Sequence, residues 1–234
     1  MAIYPVDDTQ RAAAKAAGFL YIFTLLTANF AEFYARGSLI SPSAMETARN
    51  IAASERLFRL GAVGNLLTFA GCVPLLLALY VVLKPVSKNL ALLGAFWRLA
   101  ECAIFAIIIL NDFLTLRLLS GADYLHAFDA SQLQALAYTF VHAHDAGYLI
   151  GLVFYGLGST TFSYLFYKSR YIPRALSALG VFASLLVAIV SLVVMVFPES
   201  THVVSPAFFI PSFLFEVILG LWLLIKGIKA PSLA

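Results

Sequence analysis

The sequence predicts an all-α integral membrane protein: a single domain over residues 1–234, built as a six-helix transmembrane bundle with both termini cytoplasmic. Three observations carry that expectation. Of the 234 residues 62% are hydrophobic and 12% charged, whereas soluble domains run at roughly 45–50% apolar and about 25% charged, so the chain has too little charge to cover a surface in water. The apolar residues come in continuous runs of about the 20 residues that a helix needs to cross a hydrocarbon core about 30 Å thick. They do not alternate with period two, which excludes a β-barrel. Finally, lysines and arginines gather in every second connecting segment, the pattern left by the resistance of basic residues to export.

Taken in order, the first run covers about 16–34. It follows Asp7 and Asp8 rather than a basic segment, is too long for a signal-peptide core and lacks a small-residue cleavage site, so it is a permanent span. The second and third runs cover about 57–83 and 89–116, and the fourth about 143–167. Helical character in the fourth begins at Ser131, with Gln132 and Gln134 in the first turn. Unbroken to Tyr167 it would be about 55 Å long, so it either projects outward or bends between His142 and Gly147. The fifth run covers about 175–197 and the sixth about 207–228.

Six crossings put Arg11 and Lys15, then Lys84 and Lys88, then Lys168, Arg170 and Arg174, then Lys226 and Lys229 on one side. The opposite segments, 37–56, 118–130 and the turn around Glu199 and His202, carry Arg49, Arg56, Glu46, Glu55, Asp123, Asp129 and Glu199, balanced or acidic. The basic side is cytoplasmic. Tyr4, Tyr34, Tyr124, Tyr164, Tyr167 and Tyr171 fall near the expected interfaces, where amphipathic rings anchor a span.

An ionisable side chain at the centre of a span costs about 2.5–3.5 kcal/mol on insertion scales, so each one requires a partner, water or a task. On the first span Asn29, Glu32 and Arg36 stack on one face at intervals of three and four residues. On the third, Arg98 and Glu101 form an i, i+3 pair and Asp112 returns near the same face. On the fourth, Tyr138, His142 and Asp145 follow the same rule, while Arg59 and Asn65 open the second. Glu216 lies inside the sixth with no basic residue near it on its own helix, so it must take Arg59 or Arg98 from a neighbour, meet water, or stay protonated through desolvation. By depth, Glu32, Arg59, Asp112, His142 and Asp145 lie toward the non-cytoplasmic side, and Arg98, Glu101 and Glu216 nearer the middle.

Each group also has a structural reading. Arg98 with Glu101 neutralises two costly charges and fixes helix register. Glu32 with Arg36 is an interfacial pair whose longer member snorkels to the headgroups. His142 with Asp145 staples a helix end, or is a general base with its orienter. Gly147, Gly151 and Gly158 let another helix approach closely.

Charges at the ends of apolar runs, with none gathered on a polar face, argue against nucleic acid as a partner. Cys72 and Cys102 both lie inside apolar runs and supply neither a disulfide framework nor a zinc site. Of the four histidines, His126 and His202 belong to loops, and His142 and His144 point about 200° apart around a helix. No metal or cofactor is therefore expected. No nucleophile elbow, P-loop or dinucleotide fingerprint occurs.

Several short stretches together resemble a known family. They are Gly18-Phe19-Leu20-Tyr21, Phe30-Ala31-Glu32, Asn50-Ile51 and Leu57-Phe58-Arg59-Leu60, then Leu79-Tyr80 before Lys84-Pro85-Val86, and Arg98. Gly121-Ala122-Asp123-Tyr124-Leu125, Gln132-Leu133-Gln134-Ala135-Leu136, the run from Gly147-Tyr148 to Val153-Phe154, and Pro173-Arg174 extend the pattern over nearly the whole chain. It resembles the bacterial integral-membrane family known as domain of unknown function 4386. The resemblance implies a multi-spanning helical protein of the bacterial inner or plasma membrane and carries no catalytic assignment.

Three functions fit the residues. In the leading one, an outward-facing polar pocket lined by Glu32, Arg59, Arg98, Glu101, His142, Asp145 and Glu216 binds or moves a small molecule or lipid headgroup. In the second, a membrane-embedded enzyme uses His142 or a carboxylate for acid–base chemistry on a lipidic substrate. In the third, the charges specify packing in a structural or partner-binding protein. No Gly/Pro break recurs in matched halves of the chain, which favours binding over transport.

Overall fold

The computed structural model describes residues 6–199 and 206–229, all helix, turn or irregular chain with no strand among them; Tyr4 and His202 lie outside the described residues. Seven α-helices follow one another: α1 (Asp8–Asn29), α2 (Ala44–Ala53), α3 (Glu55–Leu83), α4 (Lys88–Leu118), α5 (Ala130–Ser169), α6 (Arg174–Val196) and α7 (Ile210–Ile225). α1 runs on into a π-helical segment, Phe30–Arg36, and short 3-10 turns occupy Asp123–Ala127 and Pro206–Phe209.

Among the described residues five stretches are long and apolar enough to cross a membrane: Asp8–Arg36, α3, α4, α5 and α6. α7, apolar but only 16 residues, spans about 24 Å at the α-helical rise. Large apolar side chains on these helices stand open to the surroundings, among them Phe33 at 75%, Ile225 at 73%, Leu26 at 67% and Ile107 at 65% exposure. Water would penalise so much bare apolar surface, whereas acyl chains accept it.

The chain divides into two compact units. The first comprises Met1–Leu25, Ala70–Cys102 and Leu149–Ala234, the second Leu26–Phe69 and Ala103–Tyr148.

In the first unit a core of Tyr21, Leu75, Leu79, Leu83, Phe162, Leu165, Phe166, Phe215, Leu219 and Leu223 draws on α1, α3, α5 and α7. The start of α1 is fixed by a reciprocal cap in which the Asp7 carboxylate accepts from the Gln10 amide at 2.7 Å and Gln10 Oε1 accepts from the Asp7 N–H at 3.1 Å. The other end of the buried Gln10 side chain donates to Val82 O at 3.0 Å, tying α1 to the end of α3. α1 and α7 cross closely: a Cβ on Gly18 would run into backbone atoms of Gly220, Leu223 and Leu224. Gly156 is set the same way against Ser184 and Ala188 of α6. Ser177, Ser184 and Ser191, one heptad apart and fully buried, line the same packed face of α6.

In the second unit Leu39, Ile51, Phe58, Leu116 and Val141 form the core. The 37–56 segment, expected as a loop, contains α2. Its start is capped by Ser43 Oγ, which accepts from Glu46 N at 3.4 Å, while Ser41 donates to the Glu46 carboxylate at 2.5 Å. α5 is one uninterrupted 40-residue helix from Ala130, about 60 Å long. It starts earlier than the apolar run, at the cap in which Gln132 Oε1 accepts from Asp129 N at 3.0 Å, and it stays helical from His142 through Gly147.

Candidate functional site

The second unit gathers its charged side chains around Arg36 and His144. The π-helical segment widens the backbone ring by one residue, so Gly37 N donates to Glu32 O at 2.9 Å, and both Glu32 and Arg36 belong to this widened stretch. Arg36 Nη2 lies 2.8 Å from Asp145 Oδ1 and donates to Val141 O at 2.8 Å; its Nε lies 3.7 Å from Asp112 Oδ1 and its Nη1 3.9 Å from Glu32 Oε2. One guanidinium thus meets carboxylates from the first span, α4 and α5. The planar fork of arginine suits that better than a lysine point charge would.

His144 faces carboxylates on both sides: Nε2 is 3.3 Å from Glu32 Oε1 and Nδ1 3.1 Å from Asp112 Oδ1. Its ring stacks on Tyr148, which stacks on Phe105. Asn65 of α3 donates to Glu32 Oε1 at 2.5 Å. Next to this group Thr68 Oγ1 and Thr27 Oγ1 are 2.7 Å apart.

Exposure rises along the network in one direction. The side chains of His144 (1%), Asp112 (3%) and Arg36 (9%) are buried, whereas Asp145 (45%) and His142 (55%) reach the surface. His142 Nδ1 lies 3.5 Å from Asp145 Oδ2, and its ring meets Tyr138 edge-on at 4.4 Å. Buried charge is therefore connected side chain to side chain with an open end. An imidazole between two carboxylates can hold a proton and pass it on, and the exposed Asp145 and His142 present an acceptor and a donor to whatever reaches them.

The first unit holds another group. Arg98 and Glu101 of α4, both buried, pair with Nη1 2.9 Å from Oε2 and 3.2 Å from Oε1. The guanidinium lies over the Tyr155 ring at 4.5 Å, a cation–π contact. Tyr155 of α5 donates to Glu216 Oε1 at 2.8 Å, and its hydroxyl lies 2.7 Å from Ser212 Oγ. Gly158 leaves the room that the Arg98 side chain occupies.

The residues expected to share one pocket belong to three groups, each described within its own unit. Glu32, His142 and Asp145 belong to the second unit's network; Arg98, Glu101 and Glu216 belong to the first unit's. Arg59 pairs with Glu55 at 2.7 Å on its own helix, both half-exposed, beside an open depression of about 520 Å³ that Glu55, Arg56 and Arg59 line with Ala52, Ala53 and Ser54. Sequence spacing had marked Arg36, Asn65 and Asp112 as polar groups in spans but not as lining the site. His144, weighed only as a metal ligand, proves central. Tyr155 and Ser212 were missed. The i, i+4 interval from Ser212 to Glu216 is the signal that would have found Ser212. Among the described residues no three His, Cys, Asp or Glu side chains are arranged to hold a metal ion.

The family model described as a domain of unknown function (DUF4386) matches residues 16–227. An uncharacterized protein of Archaeoglobus fulgidus is 30% identical over 167 residues, covering 71% of this chain and 83% of its own. No solved structure matches the chain. With apolar helices long enough to span a bilayer and the family pattern running almost end to end, the chain is a multi-pass membrane protein that belongs to the family of domain of unknown function 4386.

Proposed function

We propose that the protein binds a small polar molecule or lipid headgroup at the exposed end of the second unit's network, from a six-span bundle in the plasma membrane with both termini cytoplasmic. The site opens to the non-cytoplasmic side. The observation that supports this reading is the graded exposure from His144 to Asp145 and His142. Buried structural pairs would have no reason to end in two half-exposed groups of opposite character. Asp145 accepts an ammonium group and His142 faces an anionic one, so a zwitterionic headgroup fragment such as phosphoethanolamine matches the pair. Arg36, held by Asp112 and Glu32, keeps Asp145 oriented.

The test is a thermal-shift series on detergent-purified protein with phosphoethanolamine, phosphocholine and glycerol phosphate. Phosphoethanolamine is expected to raise the melting temperature of the wild type but not of Asp145→Asn or His142→Ala. An equal response in the wild type and both variants contradicts the site.

A second reading has its own observation. His142, 3.5 Å from Asp145 and 55% exposed, has the arrangement of a general base held by a carboxylate, which suits acid–base chemistry on a lipidic substrate. Hydrolysis or rearrangement of added phospholipid, lost in His142→Ala, distinguishes this enzyme from a binding protein.

A further inference from the structure

The first unit contains an unbalanced charge that the proposed binding site does not use. Arg98 and Glu101 are close enough to neutralise each other, and that leaves Glu216 of α7 as a second carboxylate. A hydroxyl has one proton to give. Tyr155 gives its proton to Glu216 and must then accept from Ser212, so the chain Ser212 to Tyr155 to Glu216 runs one way. Hydroxyl donors stabilise a carboxylate without cancelling its charge. Among the described residues, the charged and titratable side chains grouped around Glu216 are Tyr155 of α5, which donates to it, Arg98 of α4, which lies over the Tyr155 ring, and Glu101 of α4, which pairs with Arg98, with Tyr21 of α1 and Cys72 of α3 in the same core. Arg98 is the cation in that group and Glu101 already stands against it. With both carboxylates charged, the described members of the cluster carry one net negative charge at the half-buried Glu216, flanked on its helix by the apolar core residues Phe215 and Leu219, where an unmatched charge is costly.

We infer that the first unit contains a monovalent-cation site at Glu216, taking a proton or a sodium ion, with the hydroxyls of Tyr155 and Ser212 as adjacent oxygen ligands. Both cations supply the one positive charge that the cluster lacks and bind the same carboxylate oxygens. The site is built from residues of the first unit alone.

Two measurements on the purified full-length protein test it. The first is labelling by dicyclohexylcarbodiimide, which adds to protonated carboxyl groups in apolar surroundings, read by mass spectrometry of the Glu216 peptide in choline chloride and in sodium chloride across a pH series. The second is the dependence of the melting temperature on sodium and pH in the wild type and in Glu216→Gln, a neutral isostere that keeps an acceptor for Tyr155. Label on Glu216 that disappears at alkaline pH and ignores sodium identifies a proton site. Label suppressed by sodium but not by choline identifies a sodium site. A sodium or pH dependence of melting that disappears in Glu216→Gln supports the site whether or not label is seen. Absence of label together with the same ion and pH response in wild type and Glu216→Gln overturns it.

Discussion

At the scale of single residues, the arginines differ in whether their charge is shared among several buried carboxylates or met by one exposed partner. Arg36 is 9% exposed and faces Glu32, Asp112 and Asp145. Arg59 and Glu55 are both about half exposed and face each other on one helix. Removing one partner of a buried ionic group leaves uncompensated charge and costs about 3–5 kcal/mol, whereas an exposed pair contributes about 0–1 kcal/mol. Arg36→Ala is therefore expected to lower the melting temperature sharply or abolish recovery of monodisperse protein, and Arg59→Ala to leave it nearly unchanged. Equal effects in a detergent melting assay would mean that Arg36 is not the hub of the network. Much of that network was legible in the sequence, because Glu32 with Arg36 and His142 with Asp145 share helix faces by spacing alone. His144 was not. Its position about 200° from His142 argued against a shared ion but said nothing of Glu32 and Asp112, which come from other helices. Arg59 was read as a cation at the mouth of a span; its partner Glu55, one turn back on the same helix, was not paired with it.

At the scale of elements, apolar run length located the long helices but not where they start. α5 begins at Ala130 because Asp129 and Gln132 cap it there, a polar signal that a hydropathy window does not register. The 37–56 segment was read as a loop although Ser43 with Glu46 three residues on is an N-terminus signature independent of hydropathy; Ser43 Oγ accepts from Glu46 N, while the Glu46 carboxylate accepts from Ser41 rather than from Ser43. The π-helical segment is a choice of backbone register that no side-chain pattern announces. Close helix crossings were partly legible: Gly147 was expected to admit a neighbour and lies against Ile108, while the α1–α7 crossing at Gly18 and Gly220 was not anticipated. Gly18→Val would drive side-chain carbons into the backbone of α7. It is expected to destabilise the protein far more than Leu26→Ala on the exposed face of the same span, as measured by thermal unfolding. Comparable melting temperatures for the two variants would show that α1 and α7 do not cross this closely.

At the scale of the whole molecule, composition alone established the membrane class, and charge distribution between spans supplied an orientation. Five stretches satisfy the length and hydropathy of a span, and the sixth depends on α7, whose 16 residues fall short of a bilayer about 30 Å thick unless flanking residues snorkel or the bilayer thins. Lys226 is held over the Trp222 ring at 4.5 Å, a pairing that would suit an interfacial anchor if α7 crosses. Fusion of a fluorescent protein and, separately, alkaline phosphatase to the C-terminus tests this. Six spans give fluorescence and no phosphatase activity. An active phosphatase at the C-terminus would leave α7 as a helix that does not cross.

The central claim is that the charged network of the second unit ends in a ligand site. Isothermal titration of phosphoethanolamine into nanodisc-embedded protein addresses it directly. The account predicts saturable binding to the wild type and to Arg59→Ala that is lost in Asp145→Asn. Absence of saturable binding to the wild type, or undiminished binding to Asp145→Asn, would contradict it.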